Sequence, residues 1–402
     1  MRRMIEDYRK VVGNHIIDEI YEKAEEIKGK HIVHINSTSR GGGVAEILTS
    51  LVPLMNDIGI DTGWRVLHGS NDFFSITKKF HNALQGSDIN LSEMKKRIYI
   101  ETNEIFSTYT HLEHHDCVIV HDPQPLPLIK FYRKNQPWIW RCHIDITNPN
   151  LKLWNFLKGF ICRYDRMIVS NESYKRDDIS IKQEVIYPSI DPFTPKNMEL
   201  SDSKISKLLK KTGIDRDKPI ITQVSRFDKW KDPLGVIKIF ESIKKRTDVK
   251  LVLCGGMAHD DPEGPKIYDK IKKVVGGKDD IIIITDANDI TVNALQRASA
   301  VVIQKSIREG FGLTVTEAMW KARVVVASDV GGIPIQIQNG INGFLLNPRD
   351  IKGFANIILK VLSNDKLASE IGRNAKETVR KRFLITRHIL DYLNILKEVL
   401  SQ

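Results

Sequence analysis

Short apolar runs recur along the chain. Each is followed by a polar or glycine-bearing turn and then by a stretch with the apolar spacing of a helix. His31-Ile32-Val33-His34-Ile35 is the first such run. The turn Asn36-Ser37-Thr38-Ser39-Arg40-Gly41-Gly42-Gly43 follows it, and residues 44–57 predict a helix. Further strands are predicted over 63–67, 117–120, 138–142 and 166–169. The last three end on polar residues: His121-Asp122-Pro123-Gln124-Pro125, His143-Ile144-Asp145 and Ser170-Asn171-Glu172. Residues 189–218 interrupt the pattern with scattered prolines and charges and one helical stretch, 203–211. Alternation then restarts. Strands are predicted over 220–224, 250–254, 281–285 and from 300, and helices over 233–244, 266–275, 291–298 and 313–321. Strands at 324–327 and 343–346 flank Gly331-Gly332-Ile333-Pro334, and helices over 351–362, 366–379 and 386–401 close the chain.

Alternating strands and helices make parallel, doubly wound sheets, and two such arrays joined by a connection make two domains. A length of 402 residues is also too great for one ordinary core. The expectation is therefore an α/β protein: two facing Rossmann-like domains with an inter-domain cleft. Residues 1–188, with a helical N-terminal extension, would form the first domain and residues 189–383 the second. Ligands of open α/β sheets gather at the carboxyl ends of the strands, which selects the polar turns above as candidate sites.

Composition narrows the partners. Hydrophobic residues make up 41% and charged residues 28%, as in ordinary globular proteins. The net charge of +11 suits an anionic ligand. Its densest lysine runs, 207–211 and 270–273, fall on amphipathic helices and read as solvated faces. Basic clusters interleaved with aromatics are lacking, so nucleic acid is not an expected partner. Cys117, Cys142, Cys162 and Cys254 are scattered without a CxxC pair, and three of them sit in or beside apolar runs. Neither a metal site nor a disulfide framework is expected. Met1-Arg2-Arg3-Met4-Ile5-Glu6-Asp7 leads into a charged helix with no apolar signal segment, and no stretch has the length of a membrane span. These features predict a cytoplasmic enzyme without a membrane partner.

The chemistry centres on Arg308-Glu309-Gly310-Phe311-Gly312-Leu313-Thr314-Val315-Thr316-Glu317. A buried strand precedes it and a helix follows. The glycines permit backbone N–H groups to approach a ligand, and the helix start favours an anion. Alone, Glu309 reads as a solvated loop acid and Glu317 as a helix-start acid. The rest of the second array changes that reading. Ser225-Arg226-Phe227-Asp228-Lys229-Trp230-Lys231 follows its first strand, placing Arg226 and Lys231 where they can neutralise a diphosphate. Gly255, at the end of the next strand, allows backbone approach to a base or ribose. Groups at strand ends of one array share an edge, so Arg226, Lys231, Gly255, Glu309 and Glu317 converge on one ligand. Phosphates for the cations and hydroxyls for the carboxylates describe a nucleotide-sugar. In the first array the turn ending in Gly42 and Gly43 is neither a Walker loop nor a dinucleotide fingerprint. His121 and His143, with Asp122 and Asp145 beside them, form a second candidate site.

Arg226 and Lys231, with Glu309 and Glu317 around Gly-Phe-Gly, resemble the C-terminal domain of retaining GT-B glycosyltransferases, across essentially the whole chain. A narrower resemblance is to archaeal and bacterial trehalose glycosyltransferring synthases. It is carried by the 36–46 stretch, His121-Asp122-Pro123-Gln124, Val292-Asn293-Ala294-Leu295-Gln296-Arg297-Ala298-Ser299, and Gln304-Lys305-Ser306-Ile307-Arg308-Glu309. One departure is Ala322-Arg323-Val324, where many relatives carry glycine and proline; no change in chemistry is expected from it.

The resemblance implies a GT-B fold and transfer of glucose from NDP-glucose to glucose, giving α,α-trehalose with retention and in a reversible reaction. UDP-, ADP- and GDP-glucose are not distinguished. It implies that Glu309, Arg226, Lys231 and His143 are catalytic. Gly42, Gly43, Gly255, Gly310, Phe311, Gly312, Leu313, Thr314 and Glu317 would bind the donor, and His121, Asp122, Gln124 and Asn36 the acceptor. No cofactor or metal is implied, the two cations standing in for Mg²⁺, and a homodimer is compatible with it. Residues 384–402 would pack back on the first domain. The rival readings are a retaining trehalose phosphorylase and another GT-B hexosyltransferase with a different acceptor.

Overall fold

Strands buried on both faces read as unbroken apolar runs, and such strands occur in parallel sheets covered by helices. In the computed structural model, residues 3–40, 42–256 and 264–401 are described. Among them, β1 (His31–Asn36), β2 (Asp61–Val66), β3 (Cys117–His121), β4 (Trp138–Arg141), β5 (Arg166–Val169) and β6 (Lys182–Val185) form one sheet. Its order is β2-β1-β3-β4-β5-β6, and every pair is parallel. The second sheet contains β7 (Ile220–Val224), β8 (Lys250–Cys254), β9 (Ile281–Ile284), β10 (Val301–Gln304), β11 (Val324–Ser328) and β12 (Phe344–Leu346). Its order is β12-β11-β10-β7-β8-β9, again parallel throughout.

The chain divides into two compact units, residues 1–189 with 385–402, and residues 190–384. The closing helix Ile385–Leu400 belongs to the first unit, where it packs on helices Asn14–Glu25 and Gly43–Asp57. Arg387 and His388 tie it to the Tyr187 carbonyl, the arginine at 2.6 Å and the His388 ring at 3.0 Å.

Each strand order has a switch point, where successive connections leave in opposite directions and the strand ends open a crevice. In the first sheet it falls between β1 and β3, and in the second between β10 and β7. The turns at 36–43 and 121–124 therefore flank one switch point, and those at 225–232 and 305–312 flank the other. Below them lie apolar layers. Val33, Phe73, Phe80, Trp138, Trp140 and Trp154 are buried in the first unit. Ile237, Leu251, Ile303, Val326, Phe354 and Ile358 are buried on one face of the second sheet.

Candidate active site

In the second unit the site is a pair of turns gripped from behind. After β7, Phe227 anchors the loop in the core. Asp228, also buried, accepts the N–H groups of Trp230 at 2.9 Å and Lys231 at 3.0 Å. That makes a single turn over Lys229–Lys231. Gln223 donates to the Lys231 carbonyl at 2.7 Å. Asp232 ends the turn at φ +42°, an uncommon conformation for a non-glycine residue. It accepts the Gly235 N–H at 3.1 Å, opening helix Pro233–Lys244, and pairs with Lys305 at the end of β10. Adjacent strand ends are thereby cross-linked.

The Lys231 ammonium meets the Glu309 carboxylate at 2.6 Å, with both side chains largely withdrawn from solvent. Oε2 of Glu309 also accepts from Ser306 Oγ at 3.1 Å and Gln304 Nε2 at 3.3 Å. Neutral groups therefore fix the carboxylate side of the pair, which helps such a contact hold its geometry. The Glu309 turn rests directly on other backbone. A Cβ on Gly331, at φ +56°, would lie 1.7 Å from the Glu309 carbonyl oxygen, and one on Gly332 would lie 2.6 Å from that of Gly310. Gln336 donates to the Phe311 carbonyl at 2.6 Å and accepts from Thr316 Oγ1 at 2.6 Å. Gly312 turns at φ +84°, and helix Leu313–Trp320 begins. Its first N–H groups are a ready anion site.

The other donor-side candidates are placed as follows. Arg226 lies on the same turn as Lys231, is half exposed, and sits 3.6 Å from Asp228. Glu317 is buried at 2% exposure and pairs with Lys196 at 3.8 Å. Below it the Lys321 amine donates to the Glu317 carbonyl and to Asn197 Oδ1, each at 3.1 Å. Burial pushes that amine down to about 7, against the pull of Glu317. At Gly255 a Cβ would lie 2.0 Å from the Ser225 carbonyl oxygen, so neighbouring backbone already demands glycine there. Arg308 stacks over Trp230 at 4.6 Å.

In the first unit the candidates form a line of rings. His121 closes β3 and His143 follows β4; His121 Nδ1 and His143 Nε2 are 3.0 Å apart. On its other side His121 Nε2 is 3.0 Å from Nδ1 of His34, in β1. Burial holds the His34 ring down to about 3, and burial together with Arg141 keeps His121 and His143 well below the usual histidine range. Asp122, at φ +61°, accepts the His143 N–H at 2.8 Å and is pushed up to about 6 by burial. Its carbonyl accepts from Trp140 Nε1 at 3.0 Å. Gln124 is tied through its carbonyl to Asn103 at 3.0 Å. The Asn36 side chain is committed to the Thr38 carbonyl at 2.7 Å and the Trp64 indole at 2.8 Å, and so shapes the glycine turn. Gly42, at φ +85°, caps helix Gly43–Asp57 and has open space where a Cβ would stand. Gly41 lies outside the described residues.

Sequence reasoning missed several members. Asp228, Gln304, Ser306, Gly331 and Gly332 hold the Lys231–Glu309 pair, and their signal was only that they lie in or near the same polar turns. His34 was hidden inside a strand and His388 in the closing helix, where a ring reads as one more core residue. Three cysteines, Cys117, Cys142 and Cys254, are buried, and Cys162 is exposed. Among the described residues no helix is long and apolar enough to cross a membrane.

Comparison with known proteins adds to this geometry. The family model described as trehalose synthase, N-terminal domain, matches residues 34–176, and that for glycosyl transferases group 1 matches residues 204–378. A trehalose synthase from Thermococcus litoralis is 49% identical over 400 residues, covering 98% of this chain and 97% of its own length. One from Rubrobacter xylanophilus is 44% identical, covering 99% of this chain and 98% of its own. Among solved structures, a UDP-forming α,α-trehalose-phosphate synthase from Burkholderia xenovorans, in complex with glucose-6-phosphate, superposes with a TM-score of 0.72. It is 14% identical and covers 91% of this chain and 99% of its own, which is a likeness of GT-B fold.

Proposed function

The chain is a glycosyltransferase of the trehalose synthase family, within group 1 of the glycosyltransferases, and on that premise we propose that it joins glucose from an NDP-glucose to free glucose, giving α,α-trehalose and NDP with retention at the donor carbon. The observation that carries this reading is the Lys231–Glu309 contact at 2.6 Å, beside Arg226 and at the start of helix Leu313–Trp320. A cation pair and a helix start suit a diphosphate; a carboxylate beside them suits sugar hydroxyls.

In this reading the diphosphate draws Lys231 and Arg226 to itself and they stabilise the charge that develops as the sugar departs. Glu309, released from Lys231, orients the donor sugar. The N–H groups from Gly310 to Thr314 hold sugar and phosphate, and Glu317 takes the ribose hydroxyls. Gly42 and Gly43 approach the diphosphate or acceptor, and Gly255 the nucleoside. His143, with His121, Asp122, Gln124 and the turn shaped by Asn36, receives the sugar on the first unit. In this reading no carboxylate acts as a nucleophile, and the acceptor attacks from the face the leaving group vacates. The bond from the anomeric carbon to the diphosphate oxygen breaks, the bond to the acceptor oxygen forms, and the acceptor proton passes to the leaving phosphate. The charge that a divalent ion neutralises in other transferases falls to Arg226 and Lys231, and EDTA is expected to leave turnover unchanged. The enzyme acts as a cytoplasmic protein.

Product analysis tests this. Purified protein with glucose and each NDP-glucose in turn, followed by NMR of the anomeric carbons, is expected to yield one symmetric α,α-linked disaccharide and to rank the nucleotides. Splitting of trehalose only on addition of inorganic phosphate would replace the reading with a phosphorylase.

A further inference from the structure

His143 is not an isolated ring. Its Nε2 is 3.0 Å from His121 Nδ1, and His121 Nε2 is 3.0 Å from His34 Nδ1. The rings of His121 and His143 lie nearly parallel, 16° apart, with centroids at 5.3 Å. His34 and His121 are buried at 1% and 2% exposure. The edge of Tyr392 from the closing helix packs against His34, with ring centroids 5.7 Å apart.

A neutral imidazole has one nitrogen that donates and one that accepts. Each contact in the line needs one of each. If His34 carries its proton on Nδ1, it donates to His121 Nε2; His121 must then carry its own on Nδ1 and donate to His143 Nε2, and His143 is left with its proton on Nδ1. If His34 carries its proton on Nε2, every ring reverses. Two arrangements satisfy both contacts, and in each the three rings share one tautomer. A mixed line would set two N–H groups or two lone pairs against each other inside the protein, which costs a buried hydrogen bond. Which nitrogen of a histidine carries the proton is set by the bond the other nitrogen makes.

We propose that His34 and His121 are positioning residues for His143: the three rings form one buried line of neutral imidazoles, and whether His143 presents a proton or a lone pair at Nδ1 is dictated two rings away by His34. This rests on the reading that His143 meets a sugar hydroxyl. The line then fixes whether His143 donates to that hydroxyl or accepts from it, and holds the ring in place. Neutrality is supported from every side. Burial opposes a positive charge on all three rings, Arg141 opposes it on His121 and His143, and His388 of the closing helix opposes it on His143. Asp122 is an acid nearby; it is spent on the His143 N–H, and burial raises its carboxyl above the ordinary range.

The test is nitrogen NMR of the whole protein labelled with ¹⁵N-histidine, at neutral pH and without sugar. Proton-bearing and bare ring nitrogens are resolved, and single His→Phe variants assign the rings. Three neutral rings of one tautomer are expected. His34→Phe is expected to leave His143 a mixture of tautomers and to lower kcat about tenfold, the scale at which loss of an orienting partner begins to show, with KM for the NDP-glucose unchanged. Opposite tautomers at His34 and His143, an imidazolium in the line, or an unchanged His143 signal in folded His34→Phe would overturn the proposal. Should that variant fail to fold, the wild-type spectrum alone decides. Added trehalose separates the two ideas. A His143 signal that ignores trehalose removes the sugar contact, while the shared tautomer stands or falls on the sugar-free spectrum.

Discussion

At the switch point of the second sheet the strand ends carry full charges held against each other, Lys231 on Glu309 at 2.6 Å. At the switch point of the first sheet they carry rings that burial keeps uncharged, His34, His121 and His143. The topology is of the same kind in both, and the turns leave parallel strands in the same way. The difference lies in what the polar residues face. Lys231 faces the Glu309 carboxylate, which is braced by a hydroxyl and an amide side chain. The histidines are braced by each other, and their burial disfavours charge. In the proposed function one edge takes the phosphate-bearing donor and the other the hydroxyls of a sugar. Two chemistries have been placed on two copies of one architecture.

The comparison can be broken most forcefully at its charged side. Lys231→Ala removes the cation and leaves Glu309 without its partner. Turnover is expected to fall about 10³-fold, the scale of losing one preorganised electrostatic contact, measured as NDP release. A loss below tenfold would mean that Lys231 does not face the developing charge. Glu309→Gln keeps shape and hydrogen bonding but removes charge. A fall of about 10²-fold is expected, with no glycosyl-enzyme accumulating; a trapped adduct in the mass spectrum would contradict front-face attack.

Acid sharpens the contrast. His34, His121, His143 and His388 all lie below their ordinary range when folded. Their stabilising share is therefore present above the unfolded value near 6.5 and is lost as pH falls, by up to about 1.4 kcal/mol per pH unit for each ring. Asp122 runs the other way, since its raised value favours the folded state at low pH, but it is one group against four. Hydrogen exchange followed by mass spectrometry, corrected for intrinsic rates, is expected to show residues 1–189 with 385–402 losing protection between pH 6.5 and 5 before residues 190–384. Simultaneous loss would erase the electrostatic distinction.

The smallest effect supplies a control. Ala322 sits at φ +54°, a region that suits glycine. Ala322→Gly is expected to stabilise by about 0.5 kcal/mol, the relief of strain less the added chain entropy, in urea denaturation. Turnover should not move.

These contrasts also explain what was legible in the chain. Strands such as 220–224 and 250–254 could be read because both faces are buried, so the apolar run is unbroken and its end is sharp. Helix 313–320 was visible from the glycines that precede it. Lys231 and Glu309 each stood out on a polar turn, but 78 positions separate them, and only the order β10-β7 brings their turns together. His34 was invisible as a site residue. Its partner His121 comes from β3 and the next ring, His143, from the turn after β4, and nothing within His31-Ile32-Val33-His34-Ile35 distinguishes a ring in a hydrogen-bonded line from a ring in a core. The roles of Gly331 and Gly332 depend on the backbone they touch, which lies more than twenty positions away in the chain.

The division between the two edges is tested most directly by calorimetry of NDP and of trehalose, each alone, with wild type, Lys231→Ala and His143→Ala. The account predicts that Lys231→Ala loses NDP and keeps trehalose, and that His143→Ala keeps NDP and loses trehalose. Both variants losing the same ligand would contradict it.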